Sequence, residues 1–318
     1  MKITVIGCGR WGTLIAWYLH SQNMEVTLYG RASSHKMQQL QTERKNEFLT
    51  LPDSFRLTTD LQSIKEAQII VISVNSQGLQ ALLDELKPLE LKDKLFVLCM
   101  KGIEIKTGRR LTQVINDNVD FSNEAAVWIG PGHVQELYRG IPNCMVIDST
   151  SEQVKTMLVN TFNSDLIRIY YGQDLIGNEI GAAAKNVIGI AAGMLDGLGL
   201  SSLKGALISR GTREVSRLIK AMGGNELSAY GLCHLGDYEA TVFSPYSNNR
   251  RFGELFIKGE KYEKLAEGYY TVKAMMNLGK NYGVELPISK AVYDVLYNQK
   301  EAKSTLDELF RRTIKPEF

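Results

Sequence analysis

Residues 2–13 read KITVIGCGRWGT, an apolar run that ends in three glycines, Gly7, Gly9 and Gly12, spaced G-x-G-x-x-G. Lys2–Ile6 suits a buried strand, Thr13–Leu19 has the length and apolar content of a helix start, and EVTLY at 25–29 suits a second strand. A glycine turn alone is a weak signal. One that leaves a strand, opens a helix and meets another strand within about 30 residues marks a dinucleotide site. The glycines then serve a tight turn, backbone approach to a pyrophosphate, and close helix–strand packing. The helix N-terminus supplies amides and a dipole for the phosphates. The bland alternative is a glycine-rich turn with no ligand.

Coenzyme type is read at the end of the second strand, where a carboxylate would bond the ribose 2′-hydroxyl of NAD. Here residues 29–36 are YGRASSHK, with no acid and with Arg31 placed to pair with a 2′-phosphate. NADPH is therefore the favoured coenzyme, with NADH also admitted; the competing role for Arg31 is stacking on adenine or simple solvation.

Further strands are expected at 68–74, 95–99, 126–129, 144–147 and 166–171, all apolar runs that suit a sheet covered on both faces by helices. Ligands in such sheets lie beyond the carboxyl ends of the strands, which here carry Asn75-Ser76-Gln77, Met100-Lys101-Gly102 and Gly130-Pro131-Gly132-His133. From Gly177 onward the pattern is helical, with helices expected at 178–195, 203–222, 225–235, 250–258, 263–282 and 288–298. A last one is expected from Thr305, where Thr305 and Glu308 resemble a capping box. Residues Arg210, Arg213, Glu214 and Arg217 read as the polar side of the second of these. The fold class is thus α/β, a Rossmann-type doubly wound sheet followed by an all-helical C-terminal domain. The expected boundaries are 1–176 for the dinucleotide-binding domain and 177–318 for the helical substrate and catalytic domain, with a site between them.

The helix around Lys185 is unusual. It is rich in Gly and Ala, and Lys185 emerges among Gly181, Ala182, Gly189 and Ala192 at helical spacing. Each glycine lowers helix stability by roughly 1 kcal/mol against alanine, so Gly181, Gly189 and Gly193 need a reason such as close approach of a backbone or ligand. The alternative is a helix–helix contact with a surface lysine.

Composition excludes several classes. Across 318 residues the net charge of +2, with 44% hydrophobic and 23% charged residues, is ordinary for a globular chain and argues for no nucleic-acid or membrane-surface partner. No apolar run approaches the ~20 residues of a membrane span, and no signal peptide is expected ahead of the first strand. Cys8, Cys99, Cys144 and Cys233 are scattered, and His20, His35, His133 and His234 lack ligand spacing, so no metal is expected and the cytoplasm is the expected location.

Two other stretches carry polar chemistry: GLCHLGD at 231–237, with Asp237, and SNNRRFG at 247–253, which places Ser, Asn and Arg at a helix start suited to an anion. An N-cap with solvated arginines is the plain alternative for the second. With these in place the chain resembles the bacterial NAD(P)-dependent sn-glycerol-3-phosphate dehydrogenases over nearly its whole length. The likeness rests on GCGRWGT (7–13), ISVNSQGL (72–79), KGIE (101–104), GPGHVQEL (130–137), DLIGNEIGAAAKN (174–186), ALISRG (206–211), LGD (235–237), SNNRRFG (247–253) and AEGYYTVK (266–273).

The resemblance implies reversible reduction of dihydroxyacetone phosphate for phospholipid synthesis, by a homodimer, with Lys185 as catalytic acid/base supported by Lys101 and Asp237. It puts Lys101, Gly130, Gly132, Lys185, Asp237, Ser247, Asn248 and Asn249 at substrate-contacting positions. Arg10, Trp11, Arg31, Lys101, Val134, Leu265 and Glu267 fall at coenzyme-contacting ones. The family usually has Ser or Thr at 132, Phe at 133, Pro at 75 and Arg at 248; here stand Gly132, His133, Asn75 and Asn248. Asn248 matters most, because an arginine would clamp a substrate phosphate and asparagine carries no charge; Arg250 or Arg251 are the candidates to compensate. Two rival functions stay open: a related two-domain dehydrogenase acting on another polyol phosphate or hydroxy acid, and a non-catalytic NADP(H)-binding protein.

Overall fold

The computed structural model of the chain, which describes residues 1–314 and 316–317, builds its N-terminal unit on a single eight-stranded sheet. The strands are β1 Lys2–Ile6, β2 Glu25–Tyr29, β3 Arg56–Thr58, β4 Ile69–Ile72, β5 Leu95–Leu98, β6 Glu124–Ile129, β7 Asn143–Ser149 and β8 Ile167–Tyr171. Between them run α1 Arg10–Ser21, α2 His35–Glu43, α3 Leu79–Leu86, α4 Leu111–Asn116, α5 Val134–Tyr138 and α6 Glu152–Phe162. The strand order is β3-β2-β1-β4-β5-β6-β7-β8, so the chain reverses its direction of travel across the sheet between β1 and β4, the place where such sheets bind ligands.

Burial follows position in the sheet. All four residues of central β4 (IIVI) are buried, whereas edge strand β8 buries Ile167 and Ile169 and exposes Arg168 and Tyr170. Trp128 of β6 stacks on Phe162 of α6 at 5.0 Å, and the Tyr18 hydroxyl donates to Phe162 O at 2.5 Å, tying α1 to the end of α6. Two features were not expected from sequence. Strand β3 is three partly exposed residues, too short and polar to signal itself. Strand β7 runs antiparallel to β6 in an otherwise parallel sheet, and an apolar run carries no mark of its direction.

The second compact unit comprises 102–108 and 176–318. Residues 102–108 therefore cluster away from the continuous 1–176 block expected from sequence, because Ile103 is fully buried in the helical core and Gly108 backs onto Leu278. The helices are α7 Leu175–Gly197, α8 Lys204–Ala221, α9 Asn248–Ile257, α10 Glu267–Asn281, α11 Pro287–Tyr297 and α12 Ala302–Phe310. Every residue of α7 from Glu179 to Leu195 is buried, most of them small or apolar, with Glu179, Lys185 and Asn186 as the buried polar exceptions.

The glycines of α7 are spent on close approach. A Cβ on Gly193 would collide with Arg250 O of α9, and one on Gly253 of α9 would collide with Ile190 O. A Cβ on Gly197 would lie 2.8 Å from Ile257 Cβ, and one on Gly189 2.7 Å from Thr241 Cγ2. The two helices thus pack backbone to backbone, which larger residues forbid.

Three expectations for this unit need correction. Residues 225–235 form no continuous helix but short 3₁₀ turns at Glu226–Tyr230 and Leu235–Asp237. The last helix starts at Ala302, capped by the Glu301 side chain accepting from Lys303 N and Ser304 N, so Thr305 lies inside the helix and forms no capping box. Glu214 is not part of a solvated face: it is fully buried, and its carboxylate accepts from Ile288 N, Ser289 N and Ser289 Oγ at the start of α11. Burial raises its pKa, against the pull of those bonds. Among the described residues no helix is long and apolar enough to cross a membrane.

Candidate active site

The turn after β1 separates the work of its three glycines. Gly7 has φ +116°, donates to Tyr29 O at 3.0 Å, and has no room for a Cβ beside Ser73 O. Gly12 could not carry one either, because it would run into Gly7 O. Gly9, the N-cap of α1, is different: a Cβ there meets nothing within 4 Å, and no side chain caps the helix. Packing explains Gly7 and Gly12 but not Gly9. The open space it borders, at the N-terminus of a twelve-residue helix, fits the pyrophosphate of a dinucleotide.

Around this turn, Arg10 lies over the Phe48 ring at 4.7 Å, and Lys101 Nζ lies 5.9 Å from the Trp11 ring. Lys101 also donates to Gly130 O at 2.5 Å. Gly130 and Gly132 have φ of +148° and +147°, a backbone that L-residues rarely adopt, so the glycine at 132 in place of Ser or Thr goes with a particular loop conformation. A Cβ on Gly132 would sit 3.5 Å from Trp11 Cη2, and buried Val134 opens α5. The unit thereby gathers Arg10, Trp11, Lys101, Gly130, Gly132 and Val134 near the glycine turn.

Arg31 is not the isolated cation expected from sequence. Glu85, on α3, accepts from its Nη2 at 2.6 Å and its Nε at 3.3 Å. An acid is therefore present at the end of β2 after all, delivered from 54 residues away.

In the helical unit Lys185 projects from α7 into a buried polar knot. Its Nζ lies 2.8 Å from Asp237 Oδ2 and donates to Thr241 Oγ1 at 2.7 Å, with the Asp237 side chain 1% exposed. Gly181 and Gly189, four residues to either side, provide the room: a Cβ on Gly181 would press on His234 Cβ at 3.0 Å. His234 Nδ1 bonds Gly181 O at 2.8 Å, which can only accept, so that nitrogen carries the proton and Nε2 accepts from Tyr238 at 2.7 Å. Burial pushes the imidazole down to about 4, aided by the Lys185 charge and opposed by the Gly181 bond and Asp237. Thr241 was missed as a partner of Lys185, and His234 as a partner of the Gly181 carbonyl on the same helix, since nothing in the sequence links either residue to α7. Thr241 sits in a single π-helical turn, Glu239–Phe243, that only tertiary packing reveals.

Ser247 caps α9 by accepting from Arg250 N at 3.2 Å. Asn249 reaches Asn186, beside Lys185, at 3.0 Å and accepts from Gly268 N at 2.9 Å, so it links α9, α7 and α10. Asn248 Oδ1 accepts from the Tyr262 hydroxyl at 2.8 Å. Arg250, a candidate to compensate, is half-buried and already engaged by Asp196 at 2.7 Å, Glu254 at 3.1 Å and Ser244 O at 3.1 Å. Arg251 is exposed. Leu265 is exposed ahead of α10, and Glu267 is that helix's first residue. A cavity of about 550 Å³ between α7, α8, α11 and α12 is lined by neither Lys185 nor Asp237.

Comparison with known proteins places these features in one lineage. Residues 2–155 match the family model described as NAD-dependent glycerol-3-phosphate dehydrogenase N-terminus, and residues 174–307 match its C-terminus counterpart. A glycerol-3-phosphate dehydrogenase [NAD(P)+] of Chlorobium phaeobacteroides is 35% identical over 332 residues, spanning 100% of this chain and 99% of that protein. One of Fusobacterium nucleatum is 34% identical, with the same coverage. The crystal structure of a glycerol-3-phosphate dehydrogenase from Coxiella burnetii superposes with a TM-score of 0.91 at 28% identity, covering 98% of this chain and 99% of that one.

Proposed function

The chain belongs to the NAD-dependent glycerol-3-phosphate dehydrogenase family, and on that premise we propose that it catalyses the reversible NAD(P)H-dependent reduction of dihydroxyacetone phosphate to sn-glycerol 3-phosphate. The observation that carries the chemical step is a lysine held by a carboxylate and a hydroxyl in a buried pocket.

The glycine turn, with Gly7, Gly9, Gly12, Arg10 and Trp11, holds the coenzyme, and Leu265 and Glu267 contribute further contacts to it. The bound coenzyme would supply the hydride for the carbonyl carbon. Lys185 delivers a proton to the carbonyl oxygen as it becomes an alkoxide, and takes one from the alcohol in reverse, so that atoms and charge balance in both directions. Asp237 Oδ2, 2.8 Å from Nζ, holds the Lys185 side chain in place and offsets its charge whenever the amine carries the proton. Thr241 fixes the direction of the ammonium by accepting one of its three protons. Ser247, Asn248 and Asn249 line the substrate at the start of α9, and Lys101, with Gly130 and Gly132, presents a cation and backbone groups to it.

The test is oxidation of NADPH and NADH by the purified protein with dihydroxyacetone phosphate, followed by absorbance. Rapid turnover at sub-millimolar substrate supports the proposal. Coenzyme binding without turnover would move the chain to the second reading, a related dehydrogenase for another polyol phosphate or hydroxy acid. That reading is favoured by the uncharged Asn248 and the engaged Arg250. A homodimer acting in the cytoplasm completes the proposal; a monomer mass by light scattering would remove the first part of it.

A further inference from the structure

Arg31 and Glu85 form a two-point ion pair at the carboxyl end of β2, Nη2–Oε1 2.6 Å and Nε–Oε2 3.3 Å, with side chains 56% and 41% exposed. At that exposure the pair contributes little to folding, because solvent screens it and two long side chains must be ordered. Its position is more informative than its strength. Arg31 follows β2 by two residues, and Tyr29, the last residue of β2, has its pKa raised by burial and next by the charge of Glu85, with Arg31 opposing. Glu85 thus acts electrostatically on the strand end where a dinucleotide of this fold places its adenosine ribose.

We propose that Glu85 is an internal competitor for the 2′-phosphate of NADPH, so that coenzyme choice is set by the Arg31–Glu85 pair and not by Arg31 alone. A 2′-phosphate has to share or take over the guanidinium that Glu85 holds, and it brings two negative charges up to a fixed carboxylate. A ribose 2′-hydroxyl brings no such charge and can donate to the carboxylate. Glu85 therefore moves the enzyme from an NADPH preference toward use of both coenzymes. The inference rests on the glycine turn binding NAD(P)H.

The full-length protein, E85Q and R31Q are titrated with NADPH, NADH, 2′,5′-ADP and ADP by calorimetry at low salt. Glu85→Gln is expected to tighten NADPH and 2′,5′-ADP roughly tenfold, the size of one like-charge contact at a solvated site, while NADH and ADP stay within about twofold. Arg31→Gln is expected to weaken the two 2′-phosphorylated ligands by a similar factor. Both changes are at the surface, and an unchanged melting temperature confirms that each variant is folded. If the parent binds both coenzymes and E85Q leaves their ratio within about twofold, the inference falls while the coenzyme reading stands. If the parent binds neither coenzyme nor ADP, both fall.

Discussion

Lys185 Nζ stands 2.8 Å from Asp237 Oδ2, two opposite charges on different segments of the helical unit, 52 residues apart in sequence and both nearly removed from water. The pair fixes the position of the lysine Nζ. If Lys185 is the proton donor proposed above, Lys185→Ala should lower turnover at least about a hundredfold, the low end for positioned acid–base groups. NADPH affinity, measured by titration, should survive. Near-normal turnover would end the assignment of Lys185.

Asp237→Asn keeps the shape but leaves the buried ammonium without its counter-ion. Breaking a buried pair from one side costs about 3–5 kcal/mol, so urea unfolding should show a loss of that order together with reduced turnover. An unchanged midpoint would mean that solvent already compensates the lysine.

Gly9 and Gly193 make a contrasting pair. Gly9→Ala meets no atom, so the melting temperature should hold while coenzyme affinity drops by roughly tenfold or more, if the glycine is there for backbone approach to a pyrophosphate. Gly193→Ala drives a methyl into the α9 backbone, and overpacking of that kind costs about 1–3 kcal/mol. Equal thermal losses in the two variants would contradict the division of roles.

His234 makes stability depend on pH. Its folded pKa of about 4 lies below the unfolded value near 6.5. Its contribution is therefore complete above about pH 6.5 and declines as pH falls toward about 4, where the folded protein also takes the proton; the full loss is roughly 3 kcal/mol. Urea unfolding at several pH values should show this slope, and His234→Gln should flatten it. A slope that persists in the variant would assign it to other groups.

The strand–turn–helix around Gly7–Gly12, the buried strands and the isolated Lys185 on a small-residue helix could be read from the chain because each is a local pattern. Hydrophobic runs, glycine spacing and helical periodicity fix conformation within a few residues, and nearly every strand and long helix followed from them. The partners of those residues did not. Thr241 meets Lys185, His234 meets the Gly181 carbonyl, Glu85 meets Arg31, and Arg250 turns inward to Asp196, all across gaps of 53 residues or more. Likewise, the α7 glycines stood out in the sequence, but only α9 laid against them explains each one. The sequence by itself determined most of the strands and long helices, the glycine turn, and the one lysine that stands out on a small-residue helix. The tertiary structure decided what each charge is paired with, since a long-range pairing depends on which chain segments pack together and leaves no local signature.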